Sequence, residues 1–362
     1  MQHKGALIAM SGGVDSSVAA WLTQQQGCRC YGATMRLYDN ESIGQCGYHT
    51  CCSQQDIEDA AEVAFRLDIP YEVLDFTEEF RREVMDKFVR VYAAGGTPNP
   101  CIDCNRTMKF SRLLAVARAK GLDCIVTGHY ARIQYDPARG RWLLKKALDA
   151  AKDQSYVLYA MTQDQLAHTL LPLGTLHKTE VRVLAQQQGF CNARKHDSQD
   201  ICFVPDGDYG AFLEQYTGRR LAPGPFVDPE GRVLGQHRGM ARYTIGQRKG
   251  LGLALGRPAY VCAKDPARNT VTVGPEQALY ARGLVAEDVN WIAFDALPGP
   301  LRVTARTRYR QAEQPATAYP EPGGRLRLEF DAPQRAIAPG QAVVLYSGDE
   351  VLGGGTIVQA LP

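Results

Sequence analysis

Gly5-Ala-Leu-Ile-Ala-Met-Ser-Gly-Gly-Val-Asp-Ser-Ser17 decides how this chain folds. The apolar run from Ala6 to Met10 reads as a buried strand, and two glycines then let the backbone turn sharply and approach a ligand closely. Val18-Ala-Ala-Trp-Leu-Thr follows at helical spacing. A helix that begins at the glycines turns its unpaired N–H groups and positive dipole end toward the turn, where a pyrophosphate is the natural occupant. Asp15 and Ser16 are good N-cap types, so a bare Gly-Gly turn would read as an ordinary capped connection. The whole string S-G-G-x-D-S at Ser11 to Ser16 shifts the reading to a nucleotide.

This string is neither the G-x-x-x-x-G-K-[ST] loop, which brings a lysine to the terminal phosphates, nor the G-x-G-x-x-G dinucleotide fingerprint. It resembles the PP-loop of the ATP pyrophosphatases. That likeness implies cleavage of ATP to AMP and pyrophosphate, with adenylation of a substrate oxygen.

Outward from the loop, strands and helices alternate up to about residue 200. Arg29 to Leu37, Tyr71 to Phe76 and Asp123 to Thr127 read as strands. Asp56 to Leu67, Glu78 to Tyr92 and Arg106 to Lys120 read as helices, the first with Ala60, Val63, Ala64 and Leu67 inward. Such alternation predicts an α/β fold with a Rossmann-like parallel sheet covered on both faces. Ligands of these sheets collect at the carboxyl ends of strands, where Ser11–Ser16, Met35 and Gly128-His129 all fall. Near residue 205 Gly and Pro become frequent and long helical periods vanish. From about 281, short alternating runs predict a small C-terminal β-barrel. The expected division is 1–206 for the nucleotide domain, 207–280 for a small central domain and 281–362 for the barrel.

The 362 residues suffice for two or three domains. No apolar stretch approaches transmembrane length and no signal peptide is legible, so a cytoplasmic protein without membrane partners is expected. The net charge of +2 hides an asymmetry: residues 219–280 hold ten Lys and Arg against four Asp and Glu, whereas the first 218 hold 23 against 26. A basic middle suggests a polyanion contact. Leu301-Arg-Val-Thr-Ala-Arg-Thr-Arg-Tyr-Arg310 alternates strictly, so a strand there would put Arg302, Arg306, Arg308 and Arg310 on one face, as for a phosphate backbone.

A reducing compartment makes the eleven cysteines thiols, ligands or nucleophiles rather than a disulfide framework. Thr97-Pro-Asn-Pro-Cys-Ile-Asp-Cys-Asn105 places Cys101 and Cys104 as C-x-x-C just before a helix, where a thiol has a lowered pKa. Cys202 lies in a loop-to-apolar transition. Cys46, His49, Cys51 and Cys52 could hold zinc but read better as a loop over the nucleotide. Cys28, Cys30, Cys124, Cys191 and Cys262 read as core.

Six segments occur in order: the loop, Thr97–Asn105, Thr127-Gly-His-Tyr130, Lys152-Asp-Gln-Ser-Tyr156, Asp197-Ser-Gln-Asp-Ile-Cys-Phe203 and Tyr243-Thr-Ile-Gly-Gln-Arg-Lys-Gly-Leu-Gly252. Together they resemble the tRNA-specific 2-thiouridylases over the full length. The resemblance implies ATP- and magnesium-dependent conversion of the C2 carbonyl of a tRNA wobble uridine to thiocarbonyl. It assigns Ala9, Met10, Ser11, Gly12, Gly13, Val14, Asp15 and Ser16, with Met35 and Gly128, to ATP. Cys104 falls on the family's nucleophile position and Cys202 on the persulfide position. Asn99, Pro100 and Cys101 fall where the target base is received. His129, Lys152, Asp153, Gln154, Arg308, Tyr309 and Gln341 match positions that touch tRNA. The sulfur would come from a cysteine desulfurase, a persulfide carrier or free sulfide.

Some members have Asp where this chain has Cys101. With Cys104 and Cys202 it supplies three thiols, as in the iron–sulfur branch of tRNA thiolases, and three thiolates can hold a 4Fe–4S cluster with one iron open for sulfide. A two-cysteine persulfide relay is the alternative. An amide ligase on the same loop would need neither Cys104 with Cys202 nor a basic surface, and an RNA- or metal-binding module would leave ATP unconsumed.

Overall fold

The computed structural model describes residues 4–38, 54–197, 201–204 and 206–362. Cys46, His49, Cys51 and Cys52 lie outside the described residues. The chain divides into two compact units: Met1–Met85 with Pro100–Asp206 and Gly348–Leu352, and Asp86–Asn99 with Gly207–Ser347 and Gly353–Pro362.

The first unit is built on five parallel strands, β1 (Gly5–Ala9), β2 (Arg29–Arg36), β3 (Tyr71–Asp75), β4 (Cys124–Val126) and a short edge strand, Thr169–Leu170. They lie in the order β3-β2-β1-β4-edge. All pairings are parallel, with Ala6 in register with Cys30 on one side and Cys124 on the other. Ala6, Leu7 and Ile8 are fully buried, as a strand covered on both faces requires. The chain steps outward from β1 to β3, then returns to β4 on β1's other side. The strand order therefore reverses between β1 and β4, and a crevice opens at their carboxyl ends.

Helix α1 (Val14–Gln25) packs Val18, Ala19 and Ala20 into the core; α2 (Gln54–Arg66) adds Ala60, Val63 and Ala64. The inward face expected of α2 is the face the core takes. A hairpin of Ala131–Asp136 and Arg141–Lys146, not foreseen from the sequence, pairs Lys145 and Leu144 with Glu350 and Val351.

Two helices differ in their limits from the expected ones. Helix runs from Thr77 to Ala93 in three segments, Thr77–Phe80, a π-helical Arg81–Met85, and Asp86–Ala93. The helix expected from Arg106 starts at Pro100, six residues earlier, and is π-helical over Cys104–Arg112 before Leu113–Ala119. Proline is favoured at a first helical position because the N–H it lacks has no partner there, so Pro100 starts the helix that it was expected to precede.

In the second unit Gly224–Val227, Val233–His237, Tyr260–Asp265 and Thr270–Gly274 form a four-stranded sheet over a core of Phe226, Tyr243, Val261, Val271 and Val273. Tyr280–Trp291, Leu301–Arg306, Gln314–Glu321, Arg325–Arg335, Ala342–Ser347 and Glu350–Leu361 form the C-terminal barrel. It closes where Tyr280–Trp291 pairs with Arg325–Arg335 on one side and with residues 353–361 on the other. Closure removes the free strand edges that a small sheet would expose.

Candidate active site

Beyond Ala9 the chain bends over α1. Met10 N donates to Ala33 O at 2.9 Å and Thr34 Oγ1 to Met10 O at 2.6 Å, so β2 carries the start of the loop, with Met35 at its carboxyl end. Gly12 has φ +69°, and a Cβ there would stand 2.3 Å from Asp56 O, so this position requires glycine twice over. Gly13 is the extended N-cap of α1. Ser16 Oγ and Ser17 Oγ donate to Gly13 O at 2.9 and 3.1 Å, and Ser11 N donates to Ser16 Oγ at 3.2 Å. The N–H groups of Gly12 through Ser16 meet no acceptor among the described residues. Five successive donors with no acceptor among the described residues, at a helix N-terminus, suit an anion. On the other side of the crevice a Cβ on Gly128 would lie 2.7 Å from the Asp15 carbonyl carbon, so glycine lets the end of β4 close on the loop.

Behind the loop stands a charged cluster. Lys178, buried, donates to both Asp15 oxygens at 2.6 and 2.8 Å and lies 2.8 Å from Asp197. Tyr130 OH donates to Asp15 Oδ1 at 2.8 Å. Lys152 and Arg182 reach Asp197 at 2.7 and 2.9 Å. Burial opposes ionisation of Asp197, but Lys152 and Lys178 outweigh it and hold the carboxyl at about 2. Burial and the charge of Asp15 push the Tyr130 phenol up, so it stays a donor.

The residues matched to tRNA-touching positions divide here. Asp153 is buried and accepts from Ala147 N, Ser155 N and Ser155 Oγ at 2.9–3.2 Å. Gln154 exchanges two hydrogen bonds with the Tyr130 backbone. His129 is buried against Phe110, with Nδ1 2.8 Å from Thr127 Oγ1. Burial first, and Lys109 second, push its imidazole well below the usual range, so it is neutral at pH 7. The Lys152 side chain is 39% exposed, with its ammonium on Asp197 at 2.7 Å.

Cys101 occupies the second position of the helix that starts at Pro100 and is exposed; Cys104 lies a turn further in and is buried. The next residue, Asn105, donates Nδ2 to Val157 O at 3.1 Å. Half-buried Cys202 accepts from Tyr38 OH at its carbonyl, at 2.7 Å, and Phe203 stacks edge-on against Phe80 at 5.7 Å. Phe80 leads directly into Arg81–Met85, which packs against both Pro100–Asp103 and Cys104–Arg112. One helical turn therefore bridges the two cysteine-bearing segments. Among the described residues no three His, Cys, Asp or Glu side chains are gathered as metal ligands. As placed, Cys101, Cys104 and Cys202 do not fit a three-thiolate cluster site.

In the second unit, Asn99 follows a turn held by distant side chains. Thr97 N donates to Pro339 O at 2.8 Å, and Gln341 Nε2 donates to Thr97 O and Pro98 O at 2.9 and 3.3 Å. Lys264 Nζ reaches Gly96 O and Tyr243 O at 3.3 and 3.0 Å, and its burial brings the ammonium down to about 8.

The arginine face expected over Leu301–Arg310 does not form. The strand ends at Arg306, because Thr307 N and Oγ1 turn to the Gln311 side chain. Arg302 lies on Asp331, Arg306 on Glu313, and Arg308 donates to Ala336 O and Ile245 O. Tyr309 and Arg310 are exposed. Exposed cations stand instead on the 248–259 loop, where Arg248 and Arg257 line a concavity of about 540 Å³ and Lys249 is exposed next to Arg248 in the chain.

The residues missed from the sequence are Lys178, Arg182, Asn192 and Lys195. Asn192 and Lys195 both donate to Gly12 O, across about 180 residues of chain. No local pattern marks them. The nearby Asp197–Phe203 segment was the only pointer.

No helix among the described residues is long and apolar enough to cross a membrane. Residues 4–206 match the family profile described as tRNA methyl transferase HUP domain. Residues 210–275 match the tRNA methyl transferase PRC-barrel domain and 281–357 the aminomethyltransferase beta-barrel domain. Full-length relatives carry a different and more specific name. The tRNA-specific 2-thiouridylase MnmA of Moorella thermoacetica is 56% identical over 97% of this chain and 98% of its own. Those of Symbiobacterium thermophilum and Acetivibrio thermocellus are 52% and 49% identical over 99% of this chain, covering 93% and 100% of theirs. Identity of this order along the whole length goes well beyond a shared fold: the chain belongs to the tRNA-specific 2-thiouridylase family.

Proposed function

We propose that this chain is a tRNA-uridine 2-sulfurtransferase that spends ATP to replace the C2 oxygen of a wobble uridine with sulfur, in a reducing cytoplasm. The observation that carries this reading is the five-donor cradle of Gly12 to Ser16, in the same unit as Cys104 and Cys202. The uracil O2 attacks the α-phosphorus of ATP, forming an O–P bond as the bond to pyrophosphate breaks. The cradle offsets the charge on the departing pyrophosphate. Magnesium would supply further charge neutralisation; it takes one or two carboxylates plus phosphate oxygens, and Asp15, the loop's carboxylate, would hold it in competition with Lys178, which donates to both its oxygens.

The terminal sulfur of a persulfide on Cys202 then attacks C2, and AMP leaves with the original oxygen. The Cys104 thiolate attacks the inner sulfur, which forms a Cys104–Cys202 disulfide and leaves the second sulfur on C2. A thiol reductant restores both cysteines. The base must leave its stack to reach this chemistry. The Thr97–Asn99 turn suits its reception, and the 248–257 cations suit the phosphate backbone. A division at 1–206, 207–280 and 281–362 into adenylating, central and barrel domains goes with this reading.

Mass spectrometry of nucleosides from unmodified tRNA incubated with enzyme, ATP, magnesium and a sulfur source tests the proposal. A gain of one sulfur for one oxygen at the wobble uridine is expected, together with tRNA-dependent pyrophosphate release. Release that depends on a small acid instead would favour the amide-ligase reading. Cys104→Ala and Cys202→Ala should abolish sulfur transfer while Cys101→Ala is tolerated. Loss of activity in Cys101→Ala, together with iron and sulfide in anaerobically purified protein, would replace the relay with a cluster.

A further inference from the structure

Gly12 O accepts two side-chain donors, Asn192 Nδ2 at 3.0 Å and Lys195 Nζ at 3.2 Å. Both come from one short segment about 180 residues downstream, and neither carries an assigned role. Asn192 is buried, and its Nδ2 also donates to Ser17 Oγ at 2.9 Å. A carbonyl can only accept, so the Asn192 amide has one possible orientation. Lys195 has two further anchors, Asp56 Oδ1 at 2.7 Å and Asp59 Oδ2 at 2.5 Å, on the first turns of α2. That same stretch of α2 lies against the Cα of Gly12.

A trans peptide is planar, and its C=O and N–H point in opposite directions. Holding Gly12 O on the α2 side therefore turns the Gly13 N–H away from α2, and the N–H groups of Val14, Asp15 and Ser16 that follow it likewise meet no acceptor among the described residues. A Gly-Gly peptide cannot hold this orientation on its own. Glycine visits both signs of φ with little preference, so an unsupported Gly12-Gly13 unit would flip between donor-in and donor-out states.

We propose that Asn192 and Lys195 are positioning residues for pyrophosphate. By pinning the Gly12 carbonyl they fix the Gly13 N–H as a donor to the phosphates of ATP and of the leaving pyrophosphate. Two acids make Lys195 suited to this role. Its ammonium is more than offset by Asp56 and Asp59, so it supports the loop without adding positive charge behind it. The inference rests on the reading of Gly12–Ser16 as a phosphate cradle.

Calorimetric titration of the full chain with magnesium pyrophosphate, and separately with adenosine, tests it. Asn192→Ser and Lys195→Met should each weaken pyrophosphate about tenfold, the value of one hydrogen bond to a charged group, and leave adenosine within twofold. The double variant should lose less than the product of the two, because both side chains act on one carbonyl. Lys195→Arg, which keeps a donor and the charge, should recover most of the affinity. The split between ligands is the decisive readout, since a merely structural brace would lower the melting temperature and weaken both ligands together. Wild-type chain that binds no pyrophosphate would overturn the cradle reading itself. Wild-type chain that binds it, with folded Asn192→Ser binding equally well, would overturn this inference alone. Asn192→Ser is the milder change and serves if Lys195→Met fails to fold.

Discussion

Two short turns in this molecule are braced by lysines from far along the chain, and the lysines have opposite electrostatic surroundings. In the first unit Lys195 reaches Gly12 O with Asp56 and Asp59 at its head. Burial alone would lower its pKa, but the two acids outweigh it and the ammonium is held above the usual range. In the second unit Lys264 reaches Gly96 O and Tyr243 O and meets no carboxylate among the described residues. Nothing offsets its burial, and its pKa falls to about 8. A loop suited to polyanionic phosphate is braced by a cation that two acids outweigh, so recognition is left to the loop's own N–H groups. A turn suited to an uncharged base is braced by a cation with no acid beside it among the described residues, and that cation is a standing cost to stability.

The comparison breaks most completely at Gly12. Gly12→Ala puts a methyl 2.3 Å from the Asp56 carbonyl on a residue already at φ +69°. Overpacking and left-handed strain together come to ~4 kcal/mol, so tRNA-dependent pyrophosphate release should fall about a thousandfold. A variant with wild-type release would show that the loop does not need the geometry that Lys195 supports.

Lys264→Met sharpens the other side. The folded pKa of about 8 lies below the ordinary 10.5, so between these values the unfolded chain binds more protons than the folded one. Wild-type stability should therefore gain up to about 3 kcal/mol from this group as pH rises from 8 to 10.5. Urea midpoints across that range should rise for wild type relative to Lys264→Met, whose curve lacks this contribution. Parallel curves would mean that Lys264 is not buried as a cation. Removing both acids, Asp56→Asn with Asp59→Asn, should give Lys195 the same behaviour and cost about 2 kcal/mol at pH 7, since it leaves a partly buried charge uncompensated. Denaturant titration checks this, and an unchanged midpoint would count against the charge-balance argument.

What the sequence revealed and what it hid follow the same division. The strand, the glycines and the start of α1 were legible because each is set by neighbours within a few residues. The alternation of strand and helix placed β1 to β4, and period-two runs placed the barrel. The braces were not legible: Asn192, Lys195 and Lys178 meet the loop across 163 to 183 residues, and single polar side chains carry no period. The arginine run misled for a related reason. Its alternation continues through Arg310, yet Gln311 ends the strand, and three of the four guanidinium groups find partners that only tertiary structure supplies. Pro100 misled locally, because a proline that breaks a helix in its interior starts one at its first turn.

The smallest effect is expected at Gln341, and it tests whether the second turn is positional at all. Pro98 has no N–H, so the turn before Asn99 has few donors of its own and relies on outside groups to fix its carbonyls. Gln341 satisfies two of them with one amide nitrogen, so its bonds to Thr97 O and Pro98 O lock successive peptides in one orientation. Gln341→Ala removes about 1 kcal/mol of neutral hydrogen bonding. If the turn only receives the base, this should appear as a rise of about fivefold in KM for tRNA, with kcat and the affinity for ATP unchanged. Gln341→Glu should be worse than alanine, because a carboxylate facing two carbonyls repels where the amide donated. A fall in kcat at constant KM would place Gln341 in the chemical step instead. The contrast between a phosphate loop whose bracing cation is paired with acids and a base-receiving turn whose bracing cation is not would then no longer hold.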